Sequence, residues 1–214
     1  ACGITVVPML ITVDGWSARD GDIAVETLLA ATEVETSGPS PGDFADAIQR
    51  RMTREGVRVL TLASNMSSTY QSASLAASSV EGRVRVIDTQ TAAGAQALVV
   101  LAAARAAALD ASLDEVERVA RDVMGRVHLV AMVPSLEYLA KSGRVPGIAE
   151  WVGRRLHVVP MFEFAAGIVS KHRPALGVDA AYDRMVHMVQ RDRVEGAALH
   201  VAAYHSLAPT AAAL

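Results

Sequence analysis

Cysteine is almost missing from this chain: Cys2 is the one thiol among 214 residues. An intrachain disulfide is therefore impossible, and the reading that follows is a reducing compartment. A charge excess is missing as well. With 20 basic and 23 acidic residues the net charge is −3 and the pI about 6.1, and the basic residues are scattered rather than striped, which argues against a nucleic-acid partner. The longest apolar runs, Ala92 to Leu101 and Val127 to Val133, are too short or too interrupted to cross a bilayer, and no charged-start signal peptide is visible. The chain reads as cytoplasmic and not membrane-spanning.

Catalytic signatures are missing in the same way. There is no Gly-x-x-x-x-Gly-Lys-Ser/Thr and no Gly-x-Gly-x-x-Gly to wrap backbone around a polyphosphate. A serine hydrolase would need a nucleophile, a base and an orienting acid. Serines and six histidines are present, but no Gly-x-Ser-x-Gly elbow is. His128 and His200 fall inside expected strands and His187 on a helix face, which leaves His205 at a strand end as the reserve candidate. No Cys/His group has zinc-site spacing, so neither a metal nor a cofactor is expected.

What the chain does have is 51% hydrophobic content, ample for a packed core, and two hydroxyl-rich turns. The first is Thr36-Ser37-Gly38-Pro39-Ser40-Pro41. The second, Ser64-Asn65-Met66-Ser67-Ser68-Thr69-Tyr70, follows the apolar run Val57 to Ala63 and opens an Ala/Ser-rich helical pattern. A helix start carries unpaired N–H groups and the positive end of the dipole, so Ser67 and Ser68 are suited to holding a carboxylate or phosphate without a lysine. Serine and threonine also gather at helix starts simply as caps. Taken alone, the turn leaves both readings open, and two such turns could converge on one ligand.

Elsewhere the pattern is regular. Ile4 to Val13 reads as a strand entering the hairpin dipeptide Asp14-Gly15, with Pro8 at an edge or bulge. A helical pattern follows from Asp22. Ser40, Pro41 and Asp43 form a capping box with Asp in place of Glu, which predicts a helix with Phe44, Ala47, Ile48 and Met52 on its apolar face and Gly56 as its stop. Arg83 to Asp88 reads as a strand, Ala92 to Leu109 as a nearly buried helix, Ser112 to Gly125 as a capped helix and Val127 to Val133 as a strand. Repeated strand–loop–helix units predict an α/β architecture with parallel strands. Near Pro134 the character changes, and the domains are expected at 1–126 and 127–214. The second should hold a short helix around Leu136 to Leu139, an apolar stripe through Ile148, Trp151, Val152 and Leu156, and a hairpin of Val158–Phe164 and Ile168–Lys171. A helix from about Ala175 to Val189 and a strand from Ala198 to Tyr204 should complete it.

Several separated motifs resemble one family. Thr-Ser-x-Pro-Ser-Pro at Thr36, Ser-x-x-x-Ser-x-Thr-Tyr-x-Ser-Ala from Ser64 to Ala73, Val86-Ile87-Asp88-Thr89, and Leu136 to Val145 follow one another in the order of the DegV family. That resemblance implies a two-domain α/β fold with a ligand tunnel between the domains, binding one long-chain fatty acid with its tail buried. It implies Thr36 and Ser67 as carboxylate contacts, Ser68 as a backbone donor, and Arg144 and Arg173 as docking residues for a separate fatty acid kinase that forms an acyl phosphate. The chain would be a carrier, not an enzyme; the runner-up is a small carboxylate- or phosphate-binding module, with a serine hydrolase third. Two positions depart from the family pattern: Gly38 where Gln is frequent, and Ser68 where Gly is usual. The family's opening Asp-Ser strand and closing His-Thr-Gly-Pro-Gly segment are not found, so the fold is expected to be incomplete at both ends.

Overall fold

The structure, a computed structural model, describes residues 3–133 and 158–205. Contacts group into two compact units, Ala1–Thr89 with Val100–Asp122, and Gln90–Val99 with Val123–Leu214. The first unit opens with a hairpin of β1 (Leu10–Val13) and β2 (Trp16–Arg19), registered Val13 to Trp16. Asp14 and Gly15 both take positive φ, 44° and 90°, the conformation a two-residue hairpin turn requires. The ladder is shorter than the Ile4 to Val13 pattern predicts and starts after Pro8, which has no N–H to donate. On the other edge β1 pairs antiparallel with β3 (Val34–Ser37), after the short helix α1 (Val25–Ala30). The Asp14 carboxylate holds that return by accepting the N–H groups of Thr32 and Glu33 at 3.1 and 2.9 Å. Ile11, Val13 and Ile23 form the core beneath it.

Helix α2 (Pro41–Arg51) begins as its capping box predicts: Ser40 Oγ accepts from the Asp43 N–H, and the Asp43 carboxylate accepts from the Ser40 N–H and hydroxyl. Those bonds hold the Asp43 carboxyl below the usual aspartate range, with Arg19 adding a smaller pull. β4 (Val57–Thr61) and β5 (Val84–Asp88) pair in parallel through the crossover helix α3 (Thr69–Ser79). Phe44 and Ile48 of α2 pack with Ala73 and Ala76 of α3, and Met52, Val57, Val59, Val84 and Val86 close around them. Each large apolar side chain buried there contributes about 1.5–3 kcal/mol. Gly56 is obligatory at the turn into β4: its φ is +109°, and a Cβ would lie 1.9 Å from the Arg83 carbonyl oxygen.

The opposite face of the parallel pair carries charge. Glu117 of α5 (Leu113–Met124) meets Arg58 at 3.2 Å, Arg85 at 3.3 Å and Arg121 at 2.9 Å, while Asp114 takes the other end of Arg58 at 3.0 Å. The Arg58 and Glu117 side chains are only 4% and 8% exposed. Burial pushes the Glu117 carboxyl up, but Arg121, Arg85 and Arg58 outweigh it and hold the group below the ordinary glutamate range. Helix α4 (Ala93–Ala108) is less buried than its composition predicts. Ala95, Val99 and Ala103 form one buried stripe at four-residue spacing, while Leu109 just beyond is 83% exposed. Alanine favours the helix without demanding burial on every side.

In the second unit β6 (Leu129–Met132), β7 (Val158–Ala165) and β8 (Ile168–Leu176) form an antiparallel sheet. The Ala166-Gly167 turn has φ of 48° and 78°, as its sequence suggests. Strand β8 runs past Pro174 to Leu176, with a register shift opposite Val159 to Met161. Helix α6 (Val178–Arg191) therefore starts three residues later than expected, after Gly177 turns the chain at φ +93°. Val159, Met161 and Ala175 of the sheet pack against Ala181 and Met188 of α6.

Two further expectations are corrected. Parallel pairing is confined, among the described residues, to β4 and β5; the strands of the other two sheets pair antiparallel. The segment Ala198–Tyr204 forms no strand and pairs with no sheet edge among the described residues; its Tyr204 ring lies against Gly94, where a Cβ would sit 2.4 Å from Tyr204 Cε2. The helix and stripe expected between Leu136 and Leu156 lie outside the described residues.

Candidate functional site

Strand β4 and the loop after it deliver the second hydroxyl turn. The Ser64 N–H is held by the Asp88 carboxylate at 3.2 Å, and Met66 turns back onto the Ala63 carbonyl at 3.0 Å. At the entrance of α3 the serines divide their work. Ser67 Oγ lies 2.7 Å from Thr69 Oγ1 and accepts the Thr69 N–H at 3.3 Å, whereas Ser68, at the N-cap position, makes no side-chain cap. The capping explanation thus accounts for Ser67 but leaves the exposed Ser68 hydroxyl outside it. By helix geometry the first turn of α3 also presents backbone N–H groups that no helical carbonyl can accept.

The first hydroxyl turn is brought against the second. Thr36 and Ser37 belong to β3 rather than to a loop, with Thr36 opposite Ile11 in the ladder; pairing to β1, invisible in the local hydroxyl pattern, draws them into the sheet. Gly38 and the buried Pro39 then carry the chain past the start of α3. A Cβ on Gly38 would be 3.0 Å from Thr69 Oγ1 and 3.5 Å from Ser68 Oγ. Gly38 and Ser68 are therefore neighbours in space: a side chain at position 38 would press on the Thr69 hydroxyl and come into ordinary contact with that of Ser68.

Two residues gain importance that sequence reasoning did not give them. Thr69 is 6% exposed and joins both turns, touching Ser67 and approaching Met9 Sδ at 4.0 Å. Thr61, 2% exposed at the end of β4, keeps a hydroxyl with no hydrogen-bond partner. Strand alternation from Val59 puts it on the α3-covered side. A buried threonine closing an apolar strand was the available signal. Thr61's carbonyl, by contrast, is taken by the Thr89 N–H and hydroxyl at 3.1 and 2.8 Å.

Arg173 lies on β8 in the other unit, exposed, and its carbonyl accepts a hydrogen bond from the Arg184 guanidinium. Arg144 lies outside the described residues. No helix among the described residues is long and apolar enough to cross a membrane.

The DegV family profile, described as that of an uncharacterised protein family, matches residues 1–213. A DegV domain-containing protein of Mycobacterium tuberculosis is 32% identical over 203 residues, covering 92% of this chain and 72% of that one. A fatty acid-binding protein of Thermotoga maritima is 30% identical over 181 residues, covering 83% of this chain and 63% of that one. Among solved structures, one on fatty acid binding by a DegV family protein from Thermus thermophilus matches with a TM-score of 0.73 at 31% identity, over 91% of this chain and 72% of that one. The order of the hydroxyl motifs, the mixed α/β architecture and a profile match along almost the whole length lead to one conclusion: the chain belongs to the DegV family.

Proposed function

We propose that this protein is a carrier that binds one long-chain fatty acid, holding its carboxylate at Thr36, Ser67 and the Ser68 backbone. The observation that carries the reading is the meeting of the two hydroxyl turns at the start of α3, where Gly38 lies against Ser68 and Thr69. The fatty-acid binding attributed to the Thermus thermophilus and Thermotoga maritima relatives supports it. Hydroxyls and helix-start N–H groups stabilise a carboxylate without burying an unpaired cation beside an acyl tail. Each buried methylene adds about 0.8 kcal/mol before the cost of association.

In this reading the bound lipid is presented in the cytoplasm to a separate fatty acid kinase, which makes the acyl phosphate, and Arg144 and Arg173 serve docking. The carrier has no chemical step of its own. Native mass spectrometry of freshly purified protein, followed by lipid extraction, tests the binding. A co-purified long-chain acid is the expected result; a small bound anion or turnover of an ester would overturn it. For docking, Arg173→Ala and Arg144→Ala should slow acyl-phosphate formation by the kinase while lipid affinity stays unchanged. An equal fall in affinity would place the arginines in the binding site instead.

A further inference from the structure

The second unit gathers a set of metal-ligating side chains that the carboxylate site does not use. His128 immediately precedes β6, Glu163 sits on β7, His172 on β8 and Asp192 caps the end of α6. Glu163 is two residues beyond buried Met161 and so faces the same side of the sheet, the side α6 covers. Its carboxylate, 16% exposed, lies 2.8 Å from His128 Nδ1 through one oxygen and 3.0 Å from His172 Nε2 through the other. One ligand atom each from His128, Glu163 and Asp192 lie within 4.8 Å of one another.

We propose that His128, Glu163 and Asp192 form a binding site for a divalent metal ion of the zinc class, with His172 orienting the Glu163 carboxylate. The chemistry of the donors selects the class: imidazole nitrogen suits zinc and its transition-metal neighbours, whereas calcium and magnesium prefer oxygen alone. Two carboxylates balance the charge of a divalent cation. Bonds of 2.0–2.2 Å around a tetrahedral ion set its ligands about 3.4 Å apart, so the three side chains need to close in by no more than a rotamer adjustment of partly exposed groups. His172 supplies the outer hydrogen bond that metal-bound carboxylates usually receive. The competitor is Arg191, which holds Asp192 at 2.7 and 3.0 Å. That pair is at the surface, where such bridges contribute little, and one released oxygen suffices for the metal. The bound ion would fasten the end of α6 to the three-stranded sheet.

The test uses the whole chain, freed of metal with a chelator and titrated with zinc chloride alone against a chromophoric competitor. One zinc per chain is expected, with a rise in the thermal midpoint. Asp192→Asn and Glu163→Gln should each weaken binding by about 100-fold, and His172→Gln by about 10-fold. Asp192 is at a helix end outside the strand ladder, so Asp192→Asn keeps the test valid should Glu163→Gln fail to fold. Absence of stoichiometric zinc, equal affinity in wild type and Asp192→Asn, or calcium binding as tight as zinc with the same dependence on these residues would each overturn the proposal.

Discussion

The two faces of the β4–β5 pair handle polarity in opposite ways. On the α5 face, charge is buried and matched within the protein: Glu117 is surrounded by Arg58, Arg85 and Arg121. On the α3 face, valines lead to a terminus lined by the uncharged side chains of Ser67, Ser68 and Thr69. The difference favours the α3 end for the proposed carboxylate. A cluster whose charges are already paired has little to offer a carboxylate, whereas neutral donors at a helix start leave the charge for the ligand to bring.

The largest effect should come from breaking the charged face. Glu117→Ala leaves Arg58 buried without its central partner and should cost about 3–5 kcal/mol in urea denaturation, Asp114 offsetting part of it. A loss under about 1 kcal/mol would mean the cluster behaves as an ordinary surface network. The neutral face should answer chiefly in affinity. Thr36→Val and Ser67→Ala should each weaken binding of a fluorescent fatty acid by about 1.5–3 kcal/mol, the worth of a hydrogen bond to a charged group, and Ser67→Ala should also cost about 1 kcal/mol of stability, because its hydroxyl caps the Thr69 N–H. Unchanged affinity in both variants would remove the proposed carboxylate site.

A finer probe is the contact between the two turns. Gly38→Gln alone should press on Thr69 and extend over Ser68 and so weaken lipid binding, while adding Ser68→Gly should restore part of it, with a coupling of about 1 kcal/mol. Purely additive effects would show that the two positions do not share space. The smallest effect concerns the cap that aims this segment. Ser40→Ala should cost about 1 kcal/mol in stability. Because the Asp43 carboxyl is depressed in the folded state, its contribution is complete above the unfolded value of about 3.9 and fades as pH falls through the lower folded value. Comparing wild type with Asp43→Asn from pH 6 downward should show the gap closing only in that acid range; a constant gap would assign the effect to packing.

Much of this was legible in the sequence because the signals act over a few residues. The Ser40–Asp43 box, the Asp14-Gly15 and Ala166-Gly167 turns and the Phe44–Ile48 face each depend on neighbours one to four positions away, and each appears in the structure as read. The hydroxyl turns were legible as residue types for the same reason. What the tertiary structure decided were the long-range meetings: Thr36 drawn into a strand opposite Ile11, Gly38 set against Thr69, Arg58 buried under Glu117, and His128, Glu163, His172 and Asp192 gathered at the end of α6. It also left Ala198–Tyr204 without a partner strand among the described residues, although strand-forming Val201 and Tyr204 are there. Periodicity states which side of an element is apolar, but not which distant element will lie against it. That choice is made by register and packing among segments tens of residues apart, and the composition of the site follows from it.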